Sequence, residues 1–137
     1  MRFLDTNILL RYFTRDDEEK ARQALSLLAR VERGEESVET SVLVVFETVY
    51  GLQRLYRVPR DRIRELVLNL VHLRGLHLPG KNLLDQAFDI YVAKNVSFAD
   101  AYNAVHMQRR GLTEIYSWDT DFDRIDGVVR VEPGGNE

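Results

Sequence analysis

The sequence predicts an α/β sandwich around a mostly parallel sheet of five short strands, and three features carry that expectation. Short strand-like stretches alternate with amphipathic helical ones along the whole 137 residues. Gly34, Pro59, Pro79-Gly80 and Gly111 fall between those stretches, where turns are needed. No apolar run is longer than Val42 to Phe46, so the helices belong to a water-soluble core and not to a bilayer.

Arg2 to Asp5 reads as the first strand, and Thr6-Asn7 turns it into an apolar helix from Ile8 to Phe13. Asp16 to Arg33 is amphipathic, with Ala21, Ala24, Leu25, Leu28 and Val31 on one side, and Gly34 stops it. Ser37 to Ser41 is the second strand. Val42 to Tyr56 is long enough for a helix packed on most sides, and it places Glu47 among Val44, Val45, Phe46 and Val49. A break at Arg57-Val58-Pro59 precedes an amphipathic helix from Asp61 to Leu73. Leu76 to Leu78 is a minimal third strand, followed by a helix from Asn82 to Ala93. Ser97 then caps a helix from Phe98 to Arg110 that is apolar almost all round and ends at Gly111. Glu114 to Trp118 and Val128 to Val131 are the fourth and fifth strands. One domain over residues 1–132 is expected, with 133–137 as a frayed tail.

Composition narrows the chemistry. With 45% hydrophobic and 30% charged residues, the chain has the balance of a globular domain. Asp5 and Arg11 interrupt any signal-peptide core, so a cytoplasmic protein with no membrane segment is expected. The absence of cysteine excludes disulfides and thiolate metal sites, and His72, His77 and His106 lack ligand spacing. Any bound metal must therefore take oxygen ligands. A net charge of -3 opposes broad adhesion to nucleic acid. Even so, 16 of the 19 basic residues are arginine, and Arg54, Arg57, Arg60, Arg62 and Arg64 cluster locally. That cluster is either a solvated face or a phosphate-facing patch.

The acidic residues carry the functional expectation. Asp5 and Asp119 each follow a strand at its carboxyl end, the edge where open parallel sheets collect ligands. Asp100 sits on the third residue of a helix whose apolar neighbours should largely bury it, and Glu47 stands in a similar setting. Each has a structural alternative: turn and capping chemistry for Asp5 and Asn7, a capping box for Asp100, and a buried salt bridge for Glu47. Four carboxylates brought to one cleft repel unless protons or a divalent cation neutralise them, and carboxylate and water oxygens suit Mg²⁺ and Mn²⁺.

In this arrangement the chain resembles the PIN domain family. Leu4-Asp5-Thr6-Asn7 matches the first motif of that family and Glu47 the second. Ser97-Phe98-Ala99-Asp100-Ala101 matches the third, and Ser117-Trp118-Asp119-Thr120-Asp121-Phe122 the fourth. The four stand in order over nearly the whole chain. The opening, with Leu9-Leu10-Arg11-Tyr12 and then Arg15-Asp16-Asp17, is also similar to VapC-type toxins of type II VapBC toxin-antitoxin pairs. Ser117 departs from the threonine of many relatives, a conservative exchange of hydroxyls.

The resemblance implies a three-layer α/β/α sandwich and an endoribonuclease dependent on Mg²⁺ or Mn²⁺ that cleaves RNA. Asp5, Asp100 and Asp119 would hold one or two ions, with Asp121 as a further or competing ligand to Asp119. Glu47 would act directly or through water, and Asn7 and Ser117 would orient carboxylates. A small antitoxin protein as inhibitor is implied with it. The apolar surplus on the helices at Ile8 to Phe13 and Val42 to Tyr56 adds the expectation of a homodimer. Two other classes compete with this reading. One is a catalytically silent RNA- or protein-binding module of the same fold. The other is a haloacid-dehalogenase-type phosphatase using Asp5 as nucleophile, which Asn7 and the three lysines of the chain disfavour.

Overall fold

A computed structural model describes residues 1–134, so of the expected tail only residues 133 and 134, which form a turn, are described and 135–137 lie outside the described residues. The chain divides into two compact units, Met1–Lys81 and a second beginning at Asn82.

The first unit runs β1 (Arg2–Phe3), α1 (Thr6–Thr14), α2 (Glu18–Glu32), β2 (Val38–Glu39), α3 (Val42–Arg54), α4 (Arg60–Val71) and β3 (Leu76–His77). Its strands pair in the order β1-β2-β3, all parallel, with Arg2 opposite Val38 and Val38 opposite Leu76. Parallel neighbours need crossovers, and the helical stretches supply them. Beyond the strand ends the ladder continues through Leu4 N to Glu39 O and Thr40 N to His77 O. The buried Thr40 hydroxyl also donates to Leu4 O at 2.8 Å. These bonds fix the chain just before Asp5.

Helix ends follow local chemistry. Asp17 caps α2 by accepting from Lys20 N, and Ser41 caps α3 by accepting from Val44 N. In α2, Ala21, Ala24, Leu28 and Val31 are buried, the spacing of one helical face. Gly75 lies so close to the Glu36 carbonyl that an added Cβ would stand 2.2 Å from its oxygen. No other residue fits there without moving the turn into β3.

The second unit contains α5 (Leu84–Lys94), α6 (Phe98–Arg109), β4 (Glu114–Tyr116), a 3₁₀ helix (Thr120–Arg124) and β5 (Val129–Val131). Strands β4 and β5 pair in parallel, with Glu114 opposite Val129 and Tyr116 opposite Val131. Phe88, Tyr91 and Phe98 form an aromatic cluster where α5 meets α6, the ring centroids of Phe88 and Phe98 lying 4.6 Å apart. Buried Ala101, Ala104 and Val105 let α6 lie close to its neighbours.

The expected alternation of strands and helices is thus present, and among the described residues every strand pair is parallel. The five strands are shorter than the sequence suggests and are shared between a three-stranded and a two-stranded sheet. Two burial expectations are corrected. Glu47 is exposed, because the run from Val42 is an amphipathic helix after all: Val44, Val45, Thr48, Val49 and Leu52 are buried while Leu43, Glu47, Tyr50 and Arg54 share the outer face. Asp100 is only half-buried, at the border between the buried face of α6 and the exposed Asn103 and His106. Among the described residues, no helix is long and apolar enough to cross a membrane.

Candidate metal centre

In the second unit Ser97 places Asp100 in the first turn of α6, its hydroxyl accepting from Asp100 N at 3.1 Å. After β4, the Ser117 hydroxyl accepts from Asp119 N at 2.9 Å, and Asp119 Oδ1 in turn accepts from Asp121 N at 2.9 Å. This pair of side-chain turns opens the 3₁₀ helix and fixes the backbone beneath both aspartates. The result is a group of three carboxylates, Asp100, Asp119 and Asp121, each with an oxygen within 4.8 Å of the others.

Their electrostatics are those of an undercompensated site. Burial and the Asp119 carboxylate beside it push the Asp100 carboxyl up to about 6, with Asp121 adding to the effect and the Ser97 hydroxyl opposing it. Arg124 offers partial relief by pairing with Asp121 at 3.0 Å while donating to Asn95 O at 2.7 Å. A hard divalent cation fits this set: three carboxylates converge, one of them resists ionising, and oxygen is the preferred donor for Mg²⁺ and Mn²⁺.

The first unit positions Asp5, Asn7 and Glu47. Asp5 is the N-cap residue of α1, yet its side chain makes no capping bond, so capping does not account for its carboxylate. The exposed Glu47 accepts at Oε1 from the Thr6 hydroxyl at 3.2 Å, and Thr6 itself is only 8% exposed. The buried salt bridge considered for Glu47 is therefore replaced by a hydroxyl at the surface. Asp5, Thr6, Asn7 and Glu47 line a cavity of about 340 Å³ with Leu10, Phe46 and Tyr50. A larger cavity of about 560 Å³ lies along α1 and α2, lined by Asn7, Ile8, Arg11, Lys20 and Leu27.

Of the residues expected from sequence, Asp100, Asp119 and Asp121 stand together in the second unit, while Asp5, Asn7 and Glu47 share a cavity in the first. Ser117 bonds to the backbone of Asp119. The expected arginine cluster is partly engaged: Arg62 pairs with Glu65 at 3.0 Å, and the Arg54 guanidinium lies 5.9 Å from the centre of the Tyr50 ring. Sequence reasoning missed Thr6 and Arg124. Thr6 was legible as the residue between Asp5 and Asn7, and Arg124 as the basic residue three positions after Asp121 on a helical turn.

The PIN domain family matches residues 2–128, and the chain belongs to it. It is 25% identical over 133 residues to a protein named VapC ribonuclease from Aquifex aeolicus (strain VF5), covering 97% of each. Among solved structures it is similar to Mycobacterium tuberculosis VapC20, described as a toxin that cleaves the sarcin-ricin loop. Identity there is 25%, coverage 97% of this chain and 100% of the other, and the TM-score 0.42. A toxin-antitoxin complex from Klebsiella pneumoniae gives 21% identity, coverage of 93% and 94%, and a TM-score of 0.33.

Proposed function

We propose that this PIN-domain chain is an endoribonuclease dependent on Mg²⁺ or Mn²⁺, working in the cytoplasm as the toxin of a toxin-antitoxin pair. The observation that carries the chemistry is the group Asp100, Asp119 and Asp121, three carboxylates with oxygens within 4.8 Å of one another. The choice of RNA is supported by end-to-end similarity to a VapC ribonuclease.

In this reading Asp5, Asp100, Asp119 and Asp121 hold the cation. A bound cation would supply activation of a water and stabilisation of charge on the phosphodiester. Glu47 takes up the proton released, its carboxylate steadied by Thr6. Ser117 keeps Asp119 in place through the backbone, and Asn7, exposed beside Asp5, orients that carboxylate.

The partners follow from surface and similarity. Leu43 and Leu55 on and after α3 are each 72% exposed, with Tyr50 and Tyr56 exposed near them. Apolar surface of that kind supports a homodimer or a seat for a small antitoxin. An antitoxin arginine would pair with the acidic group in place of the cation.

The test is incubation of the purified protein with structured RNAs in Mg²⁺, Mn²⁺ or EDTA, followed by analysis of fragment ends. Cleavage in either cation, absent in EDTA and lost in Asp100→Asn, is expected. RNA that is bound but uncut in both cations would replace this reading with a binding module, and a trapped phospho-aspartate would replace it with a phosphatase.

A further inference from the structure

Trp118 is the chain's only tryptophan and is 74% exposed, although the backbone on both sides of it is held firmly. Ser117 N donates to Val131 O at 3.1 Å, the Ser117 carbonyl accepts from Arg130 Nη1 at 3.4 Å, and the Ser117 hydroxyl accepts from Asp119 N. Arg130 is itself anchored by Asp123 and Glu132, so the strap beneath the indole is tied on more than one side. A flexible tip that exposes an aromatic ring needs no explanation. A held one, presenting a large apolar face to water, has its backbone already ordered before any partner arrives.

The sequence neighbour decides which partner fits. Asp119, whose carboxylate belongs to the acidic group, is the next residue in the chain, so a ring at this position is one residue away from the group that would act on a phosphodiester. Along the chain Trp118 is flanked by the polar Ser117, Asp119 and Thr120, with the exposed ring of Tyr116 two residues before it. A flat π-face beside a phosphate-handling site suits a nucleobase, and the base must be unstacked to offer its own face.

We infer that Trp118 is a substrate-binding residue on which an unpaired RNA base stacks next to the scissile phosphate, selecting single-stranded or looped nucleotides. This deepens the ribonuclease reading and rests on it. Tyr116, 69% exposed two residues earlier, offers a second ring on the same strap for a neighbouring base.

Intrinsic fluorescence tests this directly, because all tryptophan emission comes from Trp118. The full chain is titrated with a short single-stranded oligoribonucleotide, and with the same sequence as a duplex, in Ca²⁺, the RNA being checked for integrity on a gel. Saturable quenching by the single strand and little by the duplex is expected. Trp118→Leu should weaken single-strand binding by about tenfold and raise KM for cleavage similarly, while Trp118→Phe retains most of both. Since the side chain is largely in solvent, neither variant should alter the melting temperature.

Equal quenching by duplex, or an unchanged KM in Trp118→Leu, overturns the inference while leaving cleavage by the wild type in place. An emission shift that depends on protein concentration without RNA also overturns it, because a second copy then covers the ring. Quenching by single strands in a protein that cuts no RNA in any cation would instead remove the ribonuclease reading and keep the stacking site.

Discussion

The Asp100 carboxyl titrates at about 6 because burial and the neighbouring Asp119 both disfavour its charge. In the unfolded chain the same group titrates near its ordinary value of 3.8. Between these two values the folded protein holds a proton that the unfolded chain has released. Metal-free stability should therefore fall as pH rises from about 4 to about 6 and be level above that. Unscreened, the displacement corresponds to about 3 kcal/mol, and with the carboxyl half open to water about 1 kcal/mol is expected. Urea midpoints in EDTA at a series of pH values would show this decline in the wild type and not in Asp100→Asn, which carries no charge to disfavour. Parallel curves for the two proteins would contradict the assignment. The importance of Asp100 was legible in Ser97-Phe98-Ala99-Asp100-Ala101, but its surroundings were not: half exposure and a like-charged neighbour from a distant turn arise only when α6 and the turn after β4 are packed together.

Among the elements, α1 and α3 pack against each other and carry Asp5 and Glu47. Gly51 permits the approach, since an added Cβ would already stand 3.3 Å from Leu10. Across the same contact Thr6 donates to the exposed Glu47 and gives its carboxylate a fixed partner. Thr6→Val keeps the packing of this buried residue and deletes the hydroxyl. It should lower kcat about tenfold with little change in KM, whereas Thr6→Ser should restore most of the rate. A Thr6→Val enzyme as fast as the wild type would show that Glu47 needs no such support. The elements themselves could be read from the sequence because capping residues and apolar periodicity act locally, as at Asp17, Ser41 and Ser97. The exposure of Glu47 was obscured because Leu43, Phe46 and Tyr50 are apolar on the outer face, so composition alone made α3 look buried all round. Of those outward residues Leu43 and Tyr50 are also among the ones that support a dimer, and light scattering at tens of micromolar protein should give twice the monomer mass. A monomer there would leave the face to an antitoxin alone.

On the scale of the whole molecule, the proposal makes Asp5, Asp100, Asp119 and Asp121 ligands of one cation. If they are, cation binding stabilises the folded chain, because affinity for the folded state alone raises the melting point by mass action. At one hundred times the dissociation constant the gain is about 2.7 kcal/mol, or several degrees for a chain of this size. The wild type should therefore melt in one transition that moves upward in millimolar Mg²⁺ or Mn²⁺. Asp119→Asn should diminish that shift by weakening the group in the second unit. The discriminating variant is Asp5→Asn, in the first unit: if Asp5 is a ligand, it must diminish the cation shift comparably while melting normally in EDTA. Removing one carboxylate from a crowded acidic set relieves repulsion, so the metal-free melting point should stay level or rise. A full cation shift in Asp5→Asn would mean that Asp100, Asp119 and Asp121 hold the ion by themselves, and Asp5 would then have to act on the substrate rather than on the metal.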